Sequence, residues 1–192
     1  MKYNVLITGA NSGLGKSLAI KFKSKGHYIF HHLGHKHFDL SNIDDIKLLI
    51  DEAKLLNIDL LINNAAILCP NIDFSDYDKN TIVKIINVNL LAPILLINGL
   101  SEQLKNVINI NSVVALETKK NRMVYAASKS GLMGFSESLK ISNDKIKILD
   151  VYSTNIKTNG LTSNAMEIDF VVNSIYDAFI NKQEKIILDG RI

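Results

Sequence analysis

The sequence has no tryptophan, only two prolines and a single cysteine among its 192 residues. One cysteine, Cys69, cannot close an internal disulfide, which fits a reducing compartment. Two prolines and ten glycines without a period exclude collagen-like and proline-rich chains. Arginine is nearly absent: only Arg122 and Arg191 could offer a bidentate guanidinium fork. The net charge of +3 is too small to argue for a nucleic-acid partner. Long apolar runs are missing too. The longest, Leu90 to Ile97, has about eight residues, against the roughly 20 of a spanning helix. Lys2 is followed by a short apolar stretch that stops at Thr8-Gly9, which does not read as a signal peptide. These absences predict a soluble, cytoplasmic protein with no membrane partner.

What is present is 47% hydrophobic residues, enough for a core without cross-links, and 21% charged residues. Short Val/Ile/Leu runs at 4–8, 28–32, 60–63, 107–111, 146–152 and 185–188 alternate with helical patterns near 13–25, 43–56, 78–104, 123–142 and 166–181. Strand–helix alternation with strands apolar throughout predicts an α/β fold, a Rossmann-like doubly wound parallel sheet of about six strands. No linker or repeat divides the chain, so residues 1–192 read as a single domain. Between His32 and Phe38 there is no room for a crossover of a dozen residues, so a regular third strand is reduced or missing; Phe38-Asp39 is at most a stub.

The first strand runs into Thr8-Gly9-Ala10-Asn11-Ser12-Gly13-Leu14-Gly15 and a helix opens behind it. Glycines there allow a tight turn and close approach of a ligand, and the helix N-terminus favours a pyrophosphate. Asn63-Asn64-Ala65-Ala66 ends another strand, Asn89 lies in a helix, Ser112 follows a strand, and Tyr125-Ala126-Ala127-Ser128-Lys129 comes thirteen residues later. Tyr125 and Lys129 are four apart, on one face of a helix. An ammonium there favours the phenolate, the tuning that general acid–base catalysis needs. Pro93, four residues beyond Asn89, removes the helical partner of the Asn89 carbonyl.

Taken together and in this order, these motifs resemble those of the short-chain dehydrogenase/reductase family over about residues 3–158. The resemblance implies an oxidoreductase that passes a hydride between a nicotinamide cofactor and a small carbonyl or alcohol substrate. It implies Tyr125 as acid/base, Ser112 as the group polarising the substrate oxygen, Lys129 also binding the nicotinamide ribose, and Asn89 holding a relay water through its carbonyl. For the cofactor it implies Thr8, Gly9, Asn11, Ser12, Gly13, Leu14, Gly15, Asn64, Ala65 and Ala66, with Asp39-Leu40 at the adenine and Thr158 at the carboxamide. It also implies a homodimer or homotetramer built on the two long helices.

No acid stands at the end of the second strand, and His32 and Lys36 lie there instead, so NADP(H) is expected over NAD(H). All five histidines fall between 27 and 37, but their spacing fits no standard zinc site, and no metal is expected. Two departures from the family stand out. Ser153-Thr154 replaces a Pro-Gly turn, and only about ten residues, Asn159 to Ile168, make up the substrate lid. They motivate the alternative of an NAD(P)-binding regulatory protein with little turnover. A sugar-nucleotide isomerase or dehydratase ranks last.

Overall fold

The computed structural model describes residues 1–31, 38–68, 72–117, 119–157 and 165–191. Six strands form one sheet: β1 (Asn4–Ile7), β2 (Tyr28–His31), β3 (Leu60–Asn63), β4 (Asn106–Ser112), β5 (Lys147–Ser153) and β6 (Lys185–Leu188). Their order is β2-β1-β3-β4-β5-β6, and every pair is parallel. The helices are α1 (Gly13–Ser24), α2 (Ile43–Leu55), α3 (Lys79–Ile86), α4 (Ala92–Leu100), α5 (Met123–Ser142) and α6 (Ile168–Ile180).

Alternate strand residues serve opposite faces. Val5, Ile7, Leu60, Ile62, Ile108 and Val151 pack with α1 and α6, whereas Leu6, Leu61, Val107 and Ile148 pack with α2, α4 and α5. Burial on both faces explains why the strands read as continuous aliphatic runs. Polar residues set the helix starts. The Asn42 side chain accepts from Asp44 N–H (2.9 Å) ahead of α2, and Asp78 accepts from the N–H groups of Asn80 and Thr81 (2.8 and 3.0 Å) ahead of α3.

The strands and helices expected from the sequence are found, with ends shifted by one or two residues apart from the long helix. The expected gap after the second strand also holds: among the described residues no strand lies beyond β2, and Phe38-Asp39 forms none. The chain turns there instead, Asn42 N–H donating to the Asp39 carbonyl (2.8 Å). The long helix expected at 78–104 is divided. A π-helical segment, Asn87–Leu91, separates α3 from α4, and Ala92 N–H reaches back to the Asn87 carbonyl. The wide turn brings Pro93 into the first turn of α4, where a missing N–H costs least. Lys79–Leu100 is long and apolar enough to cross a membrane by length and composition alone. Here it packs on the sheet through Val88, Ala92, Leu96, Ile97 and Leu100, and through Ile85 against α5.

Candidate active site

The carboxyl ends of β1 and β3 meet at the point where the chain changes direction across the sheet, the usual ligand crevice of such folds. A cleft of about 1280 Å³ opens there. Of the expected cofactor residues, Gly9, Asn11, Ser12, Gly13, Leu14, Gly15, Asp39, Leu40, Asn64, Ala65 and Ala66 all line it. Thr8 lies beneath, buried, and His32, Lys36 and Thr158 fall outside the described residues.

The loop geometry requires its glycines. Gly9 has φ +66° and Gly13 φ +52°, both left-handed. A Cβ on Gly15 would stand 2.3 Å from the Gly9 carbonyl oxygen and 2.4 Å from Asn64 Nδ2. The space is taken by a stitch between two strand ends. Thr8 Oγ1 accepts from the N–H groups of Asn64 and Ala65 (3.0 Å each), and Asn64 Nδ2 donates to the Thr8 and Gly9 carbonyls (2.9 and 3.1 Å). The first turn of α1 contains no acid, and its N-cap Ser12 makes no capping bond through its side chain. The N-terminal N–H groups of α1 therefore face the cleft without a competing carboxylate, which fits a pyrophosphate. Asp39 Oδ1 accepts from Ser41 N–H and Oγ (2.9 and 2.8 Å), fixing the far wall.

The sequence reading missed three lysines of the cleft, Lys16, Lys84 and Lys157, together with Ile67, Leu68 and Val88. Lys16 was legible as the residue following Gly15. Lys84 and Val88, four apart on adjoining helical turns, become wall residues only through the packing of α3.

None of the four expected catalytic residues lines this cleft. Ser112 ends β4, and its Oγ accepts from Val114 N–H (3.3 Å); among the described residues its own proton has no acceptor. Tyr125 and Lys129 share one face of α5, as the spacing predicts, with the Lys129 ammonium 5.8 Å from the Tyr125 ring centroid. Lys129 is buried and donates to the Ile110 carbonyl (2.9 Å). Burial pushes its pKa down to about 8. Tyr125 packs against Tyr77, Ile85, Val114 and Val124.

Asn89 is buried, and its side chain forms a clip that the sequence did not disclose. Oδ1 accepts from Ile67 N–H (2.8 Å), and Nδ2 donates to the Ile67 carbonyl (3.0 Å) and to Ser128 Oγ (3.3 Å). Ser128 in turn donates to the Tyr125 carbonyl (2.8 Å). Asn89 thereby joins the loop after β3, which walls the cleft, to the helix that carries Tyr125. Asn87, two residues earlier, faces elsewhere and donates to the Ser41 carbonyl (2.9 Å).

On the substrate side, Ser153 remains inside β5, in register with Ser112 and Leu188, a position a proline would interrupt. Thr154 N–H prolongs the pairing to the Leu188 carbonyl (3.0 Å). An isolated bridge of Ile156 with Met166 closes the neck of the short lid, supported by a Lys157–Glu167 ion pair (2.6 Å). Most of the lid itself falls outside the described residues. Among the described residues no group of histidine, cysteine and acidic side chains could hold a metal ion.

Comparison with known proteins places this geometry in company. The family model described as short chain dehydrogenase matches residues 31–168. The 3-oxoacyl-[acyl-carrier-protein] reductase FabG of Buchnera aphidicola subsp. Schizaphis graminum is 31% identical over 188 residues, covering 85% of this chain and 77% of that relative. A short-chain dehydrogenase from Streptomyces avermitilis superposes with a TM-score of 0.86 at 17% identity, over 99% of this chain and 89% of that one. A short-chain dehydrogenase from Sphingobium yanoikuyae in complex with NADPH gives 0.85 at 21%, over 96% and 87%.

Proposed function

The chain belongs to the short-chain dehydrogenase family, whose members are oxidoreductases of the C–OH/C=O couple, and from that premise we propose that it reduces a small carbonyl substrate with NADPH. The observation that carries the reading is the Tyr125–Lys129 pair on one face of α5, with the lysine buried.

The cleft fits a dinucleotide by its glycine cradle, which any Cβ at Gly15 would fill, and by the acid-free start of α1. Gly13, Leu14 and Gly15 would hold the pyrophosphate, and Asp39, Leu40 and Ala65 would flank the adenosine. When bound, the dinucleotide supplies the hydride. The chain's own residues supply the rest. Ser112 donates its free hydroxyl proton as a hydrogen bond to the carbonyl oxygen and so draws charge onto it. Tyr125 Oη then delivers a proton to that oxygen. The Lys129 ammonium, held by the Ile110 carbonyl, steadies the resulting phenolate. Asn89 keeps the cleft wall and α5 in fixed relation through Ile67 and Ser128, and its backbone carbonyl, deprived by Pro93 of an α-helical partner, is the acceptor for a relay water.

The preference for NADP(H) rests on charge. Three lysines, Lys16, Lys84 and Lys157, line the cleft against one acid, Asp39, a balance that favours an added phosphate. The Buchnera relative acts on a 3-oxoacyl group carried on a protein; for this chain a small ketone or aldehyde is the first class to test. The test is Tyr125→Phe. Cofactor binding stays at the wild-type level and turnover falls by at least two orders of magnitude, the scale of a lost general acid. A wild-type chain that binds NADPH but turns over nothing in a broad carbonyl and alcohol panel would support the regulatory reading instead.

A further inference from the structure

Three residues before Ser112 along β4, Asn63, Asn109 and Asp150 stand side by side across three strands: Asn63 pairs with Asn109, and Asn109 with Asp150. All three are buried and belong to the sheet face that α5 covers. Asn63 Nδ2 donates to Asn109 Oδ1 (2.9 Å). Asn109 Nδ2 donates to Ser136 Oγ (2.9 Å) and to Asp150 Oδ1 (3.3 Å). The Asp150 carboxylate, fully buried, is met by Lys140 Nζ at 2.9 Å. Lys140 also reaches Glu137 Oε1 (3.1 Å) and the Glu184 carbonyl (3.2 Å). Two residues further along β4, Asn111 Nδ2 donates to the Lys129 carbonyl (3.2 Å).

Ser136 and Lys140 are not scattered along α5. Tyr125, Lys129, Leu132, Ser136 and Lys140 recur at intervals of four, three, four and four, so they form one stripe. In that stripe only Leu132 is aliphatic. Phe135 and Leu139 of α5 pack beside the stripe on the aliphatic residues of this face, but along the stripe itself the contacts with the sheet are mainly polar. A slide of one turn would break the polar bonds that α5 makes with the sheet: Ser136 with Asn109, Lys140 with Asp150, and Lys129 with Asn111 and the Ile110 carbonyl. Buried ion pairs add little net stability over packed apolar residues, and their best-attested use is to select one register.

We infer that the Asn63–Asn109–Ser136 row and the Asp150–Lys140 pair are positioning residues that set where α5 sits along the sheet. They thereby determine where Tyr125 and Lys129 stand relative to Ser112. The inference rests on the reading of Tyr125 as the acid, so its test includes a readout that needs no turnover.

The test uses the full chain with the double substitution Lys140→Met/Asp150→Asn, which removes both charges and keeps an acceptor for Asn109. Lys140→Met alone leaves a buried carboxylate unpaired and lowers Tm; the second substitution restores Tm to near the wild-type value. Amine acylation followed by mass spectrometry then reports on Lys129, which is protected in the wild type. The expected result is faster acylation of Lys129 and, on a carbonyl substrate, a kcat lower by about 10- to 100-fold, the scale of a misplacement near 1 Å. Lys140→Arg retains wild-type protection and kcat. A double variant with restored Tm, wild-type Lys129 protection and wild-type kcat overturns the inference. Should the double variant not fold, Ser136→Ala breaks one bond of the row and is held to the same Lys129 readout. Wild-type protein without turnover would sink the oxidoreductase reading alone, because Lys129 protection still judges the positioning.

Discussion

At the scale of single residues the most consequential choice is a buried lysine. Lys129 has lost its water, and burial draws its pKa from 10.5 to about 8. Keeping it charged at pH 7 therefore costs the fold about 3 kcal/mol. Because the folded value is the lower one, the penalty is complete below about pH 8 and disappears as pH rises toward 10.5. Lys129→Met is accordingly expected to raise Tm at pH 7 while abolishing turnover, with the gain in Tm shrinking at higher pH. Carbonyl reduction in the wild type is expected to decline as pH rises through about 8, where the ammonium loses its proton; a rate profile from pH 6 to 9.5 checks this. That Tyr125 and Lys129 share one face was legible from their spacing, since a helix puts residues four apart on one face, whereas Ser112 was named only through the family resemblance. The clip made by Asn89 was not, because an asparagine side chain declares its partners only when the loop after β3 is in place.

At the scale of elements, the sequence disclosed the alternation of strands and helices and hid two features. The π segment Asn87–Leu91 depends on which carbonyl each N–H selects, and Pro93 alone marks only that something must give. The polar row across β3, β4 and β5 depends on strand register, which no local pattern reports. The glycine loop was plainer, because turn chemistry is local. Its tightest point is Gly15, whose added methyl would meet the backbone of Gly9 and the amide of Asn64. Gly15→Ala is expected to weaken NADPH binding by more than tenfold and to lower Tm, as the stitch between β1 and β3 must open. Gly134, with nothing within 4 Å of an added Cβ, provides the control: Gly134→Ala leaves binding unchanged and, by helix propensity, holds or raises Tm.

At the scale of the whole molecule, two surfaces respond to conditions. His27 is buried among Tyr3, Phe22 and Tyr176, and its Nδ1 accepts from Tyr3 N–H (3.2 Å). Burial, with the N-terminal amine, pushes its pKa below 6.5 against a smaller opposing pull from Asp59. The neutral ring thus stabilises the fold above pH 6.5, and that contribution is lost as pH falls toward the folded value. Tm is expected to drop between pH 7 and 5 in the wild type and to drop less in His27→Gln, by scanning calorimetry. The second surface is the apolar helix Lys79–Leu100, less than half of which is buried within this chain. If a homodimer or homotetramer covers its outer face, Val83→Lys, at an exposed position of α3, is expected to shift the mass toward the monomer in light scattering.

The order of the strands also bears on how the protein is made. After β3, each new strand joins the sheet directly beside its predecessor: β4 on β3, β5 on β4, β6 on β5. Only β2 lies on the other side of β1. Among the described residues no strand lies beyond it, so the first 63 residues already contain one flank of the sheet. A chain leaving the ribosome can therefore lengthen its sheet in one direction, as each strand–helix unit emerges. Until β6 arrives, the growing rim is the strand that carries Ser112 or its neighbour. A chain ending near residue 120 would leave β4 unpaired on its outer side, exposing a template for aggregation beside Ser112.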